Sequence, residues 1–226
     1  MTGTAQATAL IAAAGSGERL GAGGPKALAR LGGRAMVEWS VEAFGAAGRV
    51  GAVLVAAPPG GAGQLAALLP EVTVVDGGES RSDSVAAMLE RADTEAVVVH
   101  DAARPLVTPA LIDAVLARLG DSPEFAGVVA AARLTDTVKE SGGEGEVERT
   151  LDRSRLWAAQ TPQAFRAEAL REALADPAAR AEATDDAMLV ERAGGRVLLQ
   201  EAPRENLKVT TPLDLRVAEL LLAERA

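Results

Sequence analysis

Short apolar runs alternate along the chain with segments whose apolar residues recur at helical spacing. The runs predict strands at 8–14, 50–57, 72–75, 96–99, 125–132 and 196–200. The helical stripes, which we expect to face the core, are Val37, Val41 and Phe44; Val85, Met88 and Leu89; Leu111, Val115 and Leu119; and Leu213, Val217, Leu220 and Leu221. This alternation predicts an α/β fold, in which a mostly parallel twisted sheet is flanked by helices and binds ligands beyond the carboxyl ends of its strands.

One stretch, from 134 to 153, breaks the alternation. It reads LTDTVKESGGEGEVERTLDR, in which two segments of β-type spacing flank a turn rich in Gly and Glu. This pattern predicts a β-hairpin arm that leaves the body of the protein, and a solvated surface loop is the alternative. Since no internal repeat or second domain is evident, we predict that 1–226 is a single domain carrying this arm.

Composition fits such a fold and narrows the possible chemistry. Of the 226 residues, 48% are hydrophobic but only 2% aromatic, so the core must be built from Ala, Val and Leu. The absence of Cys excludes disulfides, thiolate nucleophiles and Cys-ligated zinc. Neither a signal peptide nor an apolar run long enough for a membrane span is evident, so we expect a cytoplasmic protein without a membrane partner.

The charge balance argues against nucleic acid as a partner. A net charge of −9 does not provide the broad basic face that a phosphate backbone requires. Small anionic substrates remain possible where positive charge is concentrated locally. Only Lys26, Lys139 and Lys208 are Lys in a chain that otherwise uses Arg, which suggests positions where a compact point charge is needed.

The first predicted strand runs into a Gly-rich loop, LIAAAGSGERLGAGGPKAL. Small residues there let backbone amides approach phosphate oxygens, and Arg19 and Lys26 bring charge to the same loop. A Walker loop would need Ser or Thr after Gly-Lys, and a dinucleotide fingerprint would need Gly in place of Leu20. The loop therefore predicts a phosphate site of another type.

A second cluster, VVVHDAARP, ends the fourth predicted strand. Asp101 follows a buried apolar run and would lie at the ligand edge of the sheet, where a hard cation that bridges phosphates is expected. It is a candidate metal ligand or ligand-orienting acid. For His100, the only His in the chain, a hydrogen-bonded structural role is favoured over a catalytic one.

Further polar motifs follow at GGESRSDSV, TPQ, ATDDA and ENLKVTTPLDL. Taken singly, each fits capping or turn chemistry. Ser82 or Asp83 can cap the following helix, and Thr211 before Pro212 is an ordinary helix start. The adjacent Asp185 and Asp186 fit a cap as well as a metal pair.

In this order, the motifs resemble those of the 2-C-methyl-D-erythritol 4-phosphate cytidylyltransferases of the non-mevalonate isoprenoid pathway. The resemblance extends from about Leu10 to Leu215, and HDAARP with LKVTTPLDL at their separation makes it specific. Ala12 stands where the family usually has Pro, and Ala27 where Gln is usual. Neither departure removes a charged group.

The resemblance implies a Rossmann-like nucleotidyltransferase fold and a role for each matching residue. Catalysis would rest on Lys26, Lys208 and Arg19. Asp101 would also lie near the magnesium ion. The implied nucleotide-binding residues are Ala13, Ala14, Gly15, Gly17, Gly78, Glu79, Ser84, Asp101 and Ala102. The implied acceptor-binding residues are Arg104, Thr137, Arg153, Thr184 and Asp185.

The implied reaction is transfer of CMP from CTP to a sugar-alcohol phosphate with Mg²⁺ as cofactor. The resemblance also implies a homodimer in which each arm reaches over the partner's pocket. Two rival functions stay open. A related enzyme that uses ribitol 5-phosphate would share the nucleotide half, and a non-catalytic nucleotide-binding regulator would not need both Lys26 and Lys208.

Overall fold

The computed structural model describes residues 6–15, 17, 20 and 24–225. Its strands are β1 (Ala7–Ala12), β2 (Arg30–Leu31), β3 (Arg34–Ala35), β4 (Val50–Ala57), β5 (Thr73–Asp76), β6 (Ala96–Asp101), β7 (Gly127–Arg133), β8 (Lys139–Ser141), β9 (Val147–Thr150), β10 (Trp157–Arg166) and β11 (Val197–Glu201). Its helices are α1 (Met36–Gly45), α2 (Ala62–Leu68), α3 (Arg81–Leu89), α4 (Pro109–Gly120), α5 (Ala167–Leu174), α6 (Pro177–Glu182), α7 (Asp186–Arg192) and α8 (Pro212–Ala223).

Seven strands form the central sheet in the order β11-β7-β10-β6-β1-β4-β5. Neighbouring strands are parallel except at β10, which is antiparallel to both β6 and β7. In the middle of the sheet, Leu10 lies opposite Leu54 on one side and Val99 on the other. The predicted mostly parallel sheet is therefore confirmed, and so is the order of strands and helices that led to it.

Strand β10 is the element that the hydrophobic pattern missed. It holds Gln160, Thr161, Pro162 and Gln163, and proline usually argues against a central strand because it cannot donate to the ladder. The structure accommodates Pro162 in an irregular segment: the register with β7 shifts between Ala159 and Gln163. The polar residues of this segment, Gln160, Thr161 and Gln163, are buried and bind other polar groups.

Helices cover both faces of the sheet. On one face, α1 and α4 bury Phe44, Ile112 and Val115, and on the other, α3, α5 and α7 bury Met88 and Leu170. Large rings are scarce in both layers, so the small side chains of Ala and Val bring helices and sheet together, as the composition predicts. The three stripes predicted for α1, α3 and α4 lie in the core, although Val41 of α1 is only partly buried.

The fourth predicted stripe, on α8, is correct only in part: Leu221 packs against the body, but two other leucines of the stripe do not. Leu213 and Leu220 are 64% and 67% exposed, whereas Ala218 is completely buried. Seven residues apart, the two leucines do share one face, as predicted, but Ala218 lies on the opposite face. The helix packs through this small residue against a minor cluster that includes Leu31 and Met36.

The predicted arm is a β-hairpin. Among the strands that the structure describes, β8 and β9 pair only with each other and form a separate antiparallel two-stranded sheet. Nearly all of its side chains are exposed, including Val147 at 54%. The assignment of the chain to a single domain and of the arm to a dimer contact stays a prediction. No described helix has both the length and the apolar character that crossing a membrane requires.

Candidate active site

A cavity of about 620 Å³ opens beyond the carboxyl ends of β1 and β6. The loop after β1, the loop between β5 and α3, and the segment before α8 all contribute to its wall. All the described residues predicted to bind the nucleotide or to act in catalysis line it: Ala13, Ala14, Gly15, Gly17, Lys26, Gly78, Glu79, Ser84, Asp101, Ala102 and Lys208. The remaining predicted catalytic residue, Arg19, lies outside the described residues.

The glycine loop after β1 is held by close backbone contacts. Gly17 has a φ of +77°, and a Cβ there would lie 2.9 Å from the carbonyl oxygen of Gly24. The backbone N–H of Lys26 donates to the carbonyl of Gly15 at 3.0 Å. Because a side chain at Gly17 would meet both a disfavoured φ and this contact, glycine is required there. The loop thus brings Lys26 back toward the end of β1.

The loop between β5 and α3 is ordered by its own hydroxyl groups. The hydroxyl of Ser84 accepts from the N–H of Gly78 at 3.1 Å and donates to the carbonyl of Ser80 at 3.0 Å. Ser80, and not the predicted Ser82 or Asp83, caps α3; Asp83 completes a capping box with it. A Cβ on Gly78 would lie 2.3 Å from Cβ of Asp83, so this turn also needs glycine.

Asp101 is the centre of a charge cluster at the end of β6. Arg81 Nε lies 2.8 Å from its Oδ1, and Lys208 Nζ lies 2.7 Å from its Oδ2. Burial alone would raise the pKa of Asp101, but the charges and hydrogen bonds of Arg81 and Lys208 outweigh it and hold the pKa far below its ordinary value. Asp101 is therefore an anion that two cations share.

Arg81 reaches a second carboxylate as well. Its Nη1 lies 2.7 Å from Oδ2 of Asp186, the completely buried first residue of α7. Burial raises the pKa of Asp186, which the charge of Arg81 opposes. Arg81 was not among the predicted site residues, although it lies between Glu79 and Ser84 in the quoted motif. Its partners are 20 and 105 residues away, so local spacing could not identify them.

His100 holds the turn that follows β6. Its Nε2 lies 3.2 Å from the carbonyl of Arg104, which can only accept, so Nε2 carries the proton. Its Nδ1 accepts from the hydroxyl of Thr161 at 2.9 Å, and that hydroxyl accepts from the N–H of Asp101 at 3.1 Å. Burial lowers the pKa of His100 to about 3, so the ring is neutral and fits the predicted structural role.

Two of the predicted acceptor residues are held by the body of the chain. Arg104 donates to the carbonyl oxygens of Asn206 and Ala159 at 2.9 and 3.4 Å. Asp185 caps α7 through the N–H of Met188 at 2.9 Å, and its other oxygen accepts from Gln163 at 3.0 Å. The capping interpretation of Asp185 is therefore correct.

The other three predicted acceptor residues are exposed. Thr184 lies directly before the α7 cap, and Thr137 and Arg153 lie at the base of the arm. Arg153 donates to the carbonyl of Thr135 in the same arm. None of the five residues predicted to bind the acceptor lines the 620 Å³ cavity. The structure thus brings the nucleotide set together and leaves the acceptor set spread over body and arm.

Buried polar atoms next to the acceptor set mark Gln163 and Asn206, which were not among the predicted site residues, together with the predicted Arg104. Within the part of the chain that the structure describes, Gln163 Oε1, Asn206 Oδ1 and Arg104 Nε are buried and have no hydrogen-bond partner. Gln163 contacts Asp185, and Asn206 binds Gln160 and the carbonyl of Thr161. Such atoms are rare in proteins, and each calls for a polar partner such as water or a ligand.

The residues present suit a metal ion that is bound mainly by its substrate. Among residues 6–15, 17, 20 and 24–225, no group of three or more His, Cys, Asp or Glu could hold a metal. Asp101 lines the cavity as a buried carboxylate, and both of its oxygens are paired with cations. Magnesium commonly uses one or two carboxylates together with substrate phosphates and water. Asp101 fits that pattern if the ion replaces Lys208 or binds through water.

Comparison with known proteins gives a consistent family. The model of the family described as IspD, 2-C-methyl-D-erythritol 4-phosphate cytidylyltransferase, matches residues 7–224. A protein of that name from Saccharopolyspora erythraea is 43% identical over 224 residues, covering 95% of this chain and 98% of that one. One from Nocardia farcinica is 46% identical over 222 residues, covering 96% and 94%. The crystal structure of the Thermus thermophilus protein aligns with a TM-score of 0.77 at 35% identity, covering 96% of this chain and 99% of that one.

Proposed function

The chain belongs to the 2-C-methyl-D-erythritol 4-phosphate cytidylyltransferase family, and from this we propose that it transfers CMP from CTP to 2-C-methyl-D-erythritol 4-phosphate. The products are pyrophosphate and 4-diphosphocytidyl-2-C-methyl-D-erythritol, an intermediate of non-mevalonate isoprenoid precursor biosynthesis. The observation that carries the proposal is the cavity itself, in which a glycine loop, Lys26, Lys208 and Asp101 meet at the carboxyl edge of the sheet.

The chemistry needs no protein nucleophile. An oxygen of the acceptor's phosphate attacks the α-phosphorus of CTP in line, a new phosphorus–oxygen bond forms, and the bond to the bridging oxygen breaks as pyrophosphate leaves. The difficulty is repulsion between two polyanions. Lys26 and Lys208 are the cavity's lysines among the described residues, and Arg19 is the third expected cation. One preorganised contact of this kind contributes roughly 3 kcal/mol of transition-state stabilisation.

The loop at Gly78 supplies a reason for reading cytosine. The N–H of Gly78 already donates to the hydroxyl of Ser84. The carbonyl of Gly78, an acceptor, is therefore the backbone group suited to the exocyclic amino group of the base. UTP would place a carbonyl at that position and bring two acceptors together. We expect CTP to be preferred over ATP and GTP because purines are too large for the pocket. The preference over UTP rests on this single exocyclic group, so discrimination against UTP should be the weaker.

We infer that Mg²⁺ is the cofactor and that Asp101 is the protein residue nearest to it. When bound, the ion would neutralise charge on the triphosphate and on the departing pyrophosphate. The phosphates would supply most of its ligands, since the described residues offer no preformed cage. The lack of Cys is compatible with the cytoplasm, which stays our predicted location.

The acceptor site is proposed to be shared between two chains. Thr137 and Arg153 are exposed on an arm that packs little against its own body, while Arg104, Thr184 and Asp185 lie on that body. A two-fold homodimer would place each arm over the partner's acceptor residues. The net charge of −9 makes nucleic acid an unsuitable partner.

An acceptor screen tests the function directly. Pyrophosphate release is measured with CTP and Mg²⁺ in two parallel assays, one with 2-C-methyl-D-erythritol 4-phosphate and the other with ribitol 5-phosphate. We expect turnover with the first and little with the second, and the reverse result would establish the rival acceptor. CTP binding without pyrophosphate release with either acceptor would favour a non-catalytic regulator.

A further inference from the structure

The pairing of Asp101 raises a question about Lys208. Its ammonium is 2.7 Å from Asp101 Oδ2, and it is a predicted contact of the reacting phosphate. The ammonium has two further N–H donors for a phosphate, but a close hold by Asp101 restricts where they can point. The strength of that hold depends on the other cation on this carboxylate, which is Arg81, at 2.8 Å from Oδ1.

The placement of Arg81 suggests that it serves the cavity and not its own helix. It is the first residue of α3, where the helix dipole disfavours a positive charge. Its guanidinium is held at both ends, by Asp101 of β6 and by Asp186 of α7, and the capping box at Ser80 fixes its backbone. A planar group with two fixed carboxylate partners has little freedom to follow a moving ligand.

We propose that Arg81 is a positioning residue for the transfer reaction. It holds Oδ1 of Asp101 and takes up part of its negative charge, so that Lys208, bound to Oδ2, can turn to the phosphates of the substrate. Asp186 is the anchor that keeps Arg81 in this place. The inference rests on the proposed function, because it assigns Lys208 to the reacting phosphate.

The test compares four variants with the unmutated protein, the last being Arg81→Lys, which keeps the charge. Arg81→Met removes the shared charge. Because it also leaves Asp186 buried without its cation, Arg81→Met combined with Asp186→Leu removes the buried pair as a whole and protects the fold. The control is Arg180→Met, which removes another arginine that forms an ion pair with α3, through Asp83 at 3.1 Å.

Two measurements are made on each protein. The first is kcat and KM for CTP in the pyrophosphate assay. The second needs no substrate: the rate at which acetic anhydride acetylates Lys208 is measured by mass spectrometry relative to Lys139, the exposed lysine of the arm. The chain has only three lysines, so each peptide is readily assigned.

We expect both proteins that carry Arg81→Met, the single and the double variant, to lose at least tenfold in kcat, with KM for CTP changed less than threefold. Acetylation of Lys208 should slow at least threefold, because Asp101 then pairs with Lys208 alone. Arg81→Lys, which keeps the charge, should recover part of both losses, and Arg180→Met should change neither by more than twofold.

Unchanged or faster acetylation of Lys208 in both proteins that carry Arg81→Met would overturn the proposal. If Arg81 had only a structural role, its loss would loosen the site and expose Lys208 to the reagent. Normal kcat in the double variant would overturn it as well. If the unmutated protein releases no pyrophosphate with any acceptor, the proposed function fails instead, and the acetylation result still decides whether Arg81 controls Lys208.

Discussion

In the cavity, charged side chains from distant parts of the fold meet at the buried carboxylate of Asp101, whereas those of the arm are largely exposed and bind their own hairpin. Arg81, Asp101 and Lys208 come from α3, β6 and the segment before α8. In the arm, Arg149 pairs with Glu140 and Arg153 with the carbonyl of Thr135. Exposed pairs of this kind contribute about 0–1 kcal/mol and are easily exchanged. The cavity is thus preorganised within one chain, while the arm keeps side chains that can be redirected to another.

The largest expected effect is that of Lys208→Ala. Removing the ammonium should lower kcat by about a hundredfold or more, because in the proposed mechanism it contacts the reacting phosphate in the transition state. Lys208→Arg should rescue poorly, since the planar fork does not replace a point charge. The measurement is steady-state pyrophosphate release together with a thermal unfolding curve, which should stay near that of the unmutated protein. Lys139→Ala is the control, and near-normal turnover of Lys208→Ala would contradict the mechanism.

A mixed-dimer experiment tests whether the arm serves a second chain. Lys26→Ala and Arg153→Ala proteins, each nearly inactive, are unfolded and refolded together in equal amounts. Half of the dimers should be mixed, and one of the two sites in each would carry neither lesion, so activity should return to about a quarter of normal.

Lys26→Ala refolded with Lys208→Ala is the matched control for this experiment. Both lysines belong to the same site, so no mixed dimer regains an intact one and no activity should return. Absence of recovery with Arg153→Ala, when mixed dimers are present by mass spectrometry, would mean that Arg153 serves its own chain or does not bind substrate.

A smaller effect is expected in the glycine loop. Gly17→Ala introduces a side chain at a φ of +77° and 2.9 Å from the carbonyl of Gly24, which should displace the loop and raise KM for CTP by about tenfold. Gly24→Ala is the matched control, because a Cβ there meets nothing within 4 Å. Equal KM values for the two variants would show that the conformation of Gly17 does not matter for CTP.

The last prediction concerns the pH dependence of stability, with no effect on activity at neutral pH. His100 is neutral in the folded protein, with its pKa lowered to about 3, whereas in the unfolded chain it titrates near 6.5. As the pH falls, His100 therefore takes up a proton in the unfolded state first. The stability that the neutral ring contributes is fully present above about pH 6.5 and is lost as the pH falls toward 3. One group costs about 1.4 kcal/mol for each pH unit below 6.5.

The measurement is urea unfolding between pH 7 and pH 5, where Asp101 contributes no slope because its pKa is lowered and its ordinary value is already below this range. Relative to His100→Asn, the free energy of unfolding should fall by about 2 kcal/mol across the interval, by the same linkage. Asp186, whose pKa burial raises, acts in the opposite direction and in both proteins alike. His100→Asn should flatten the dependence. A slope that persists in this variant would assign it to another group.

Much of the fold could be predicted because the parallel strands are continuous apolar runs. Strand β10 could not, since Thr161, Pro162 and Gln163 read as a turn, and only the bulge opposite β7 accommodates them. The exposed face of α8 was missed for a different reason. Spacing shows which residues share a face, but it does not say whether a small residue such as Ala218 or a large one such as Leu220 meets the body.

The candidate site divides in the same way. Residues in contiguous motifs, such as Gly15, Gly17 and Lys26, were predicted and line the cavity. Arg81 was missed because its role depends on Asp101 and Asp186, which the fold brings together from distant parts of the chain. For Thr161 the partner is His100, 61 residues earlier, and no local pattern joins them.

The position of β10 also determines when the central sheet can be completed during translation. Strands β5, β4, β1 and β6 are complete once residue 101 has emerged, but the neighbour of β6 is synthesised only at 157–166. Throughout that interval, the Val97–Val99 segment of β6 forms an open sheet edge, the kind of surface that invites pairing with another chain. In a nascent chain, that open edge lies next to Asp101, and pairing of β10 covers it in the same step that brings Thr161 to His100.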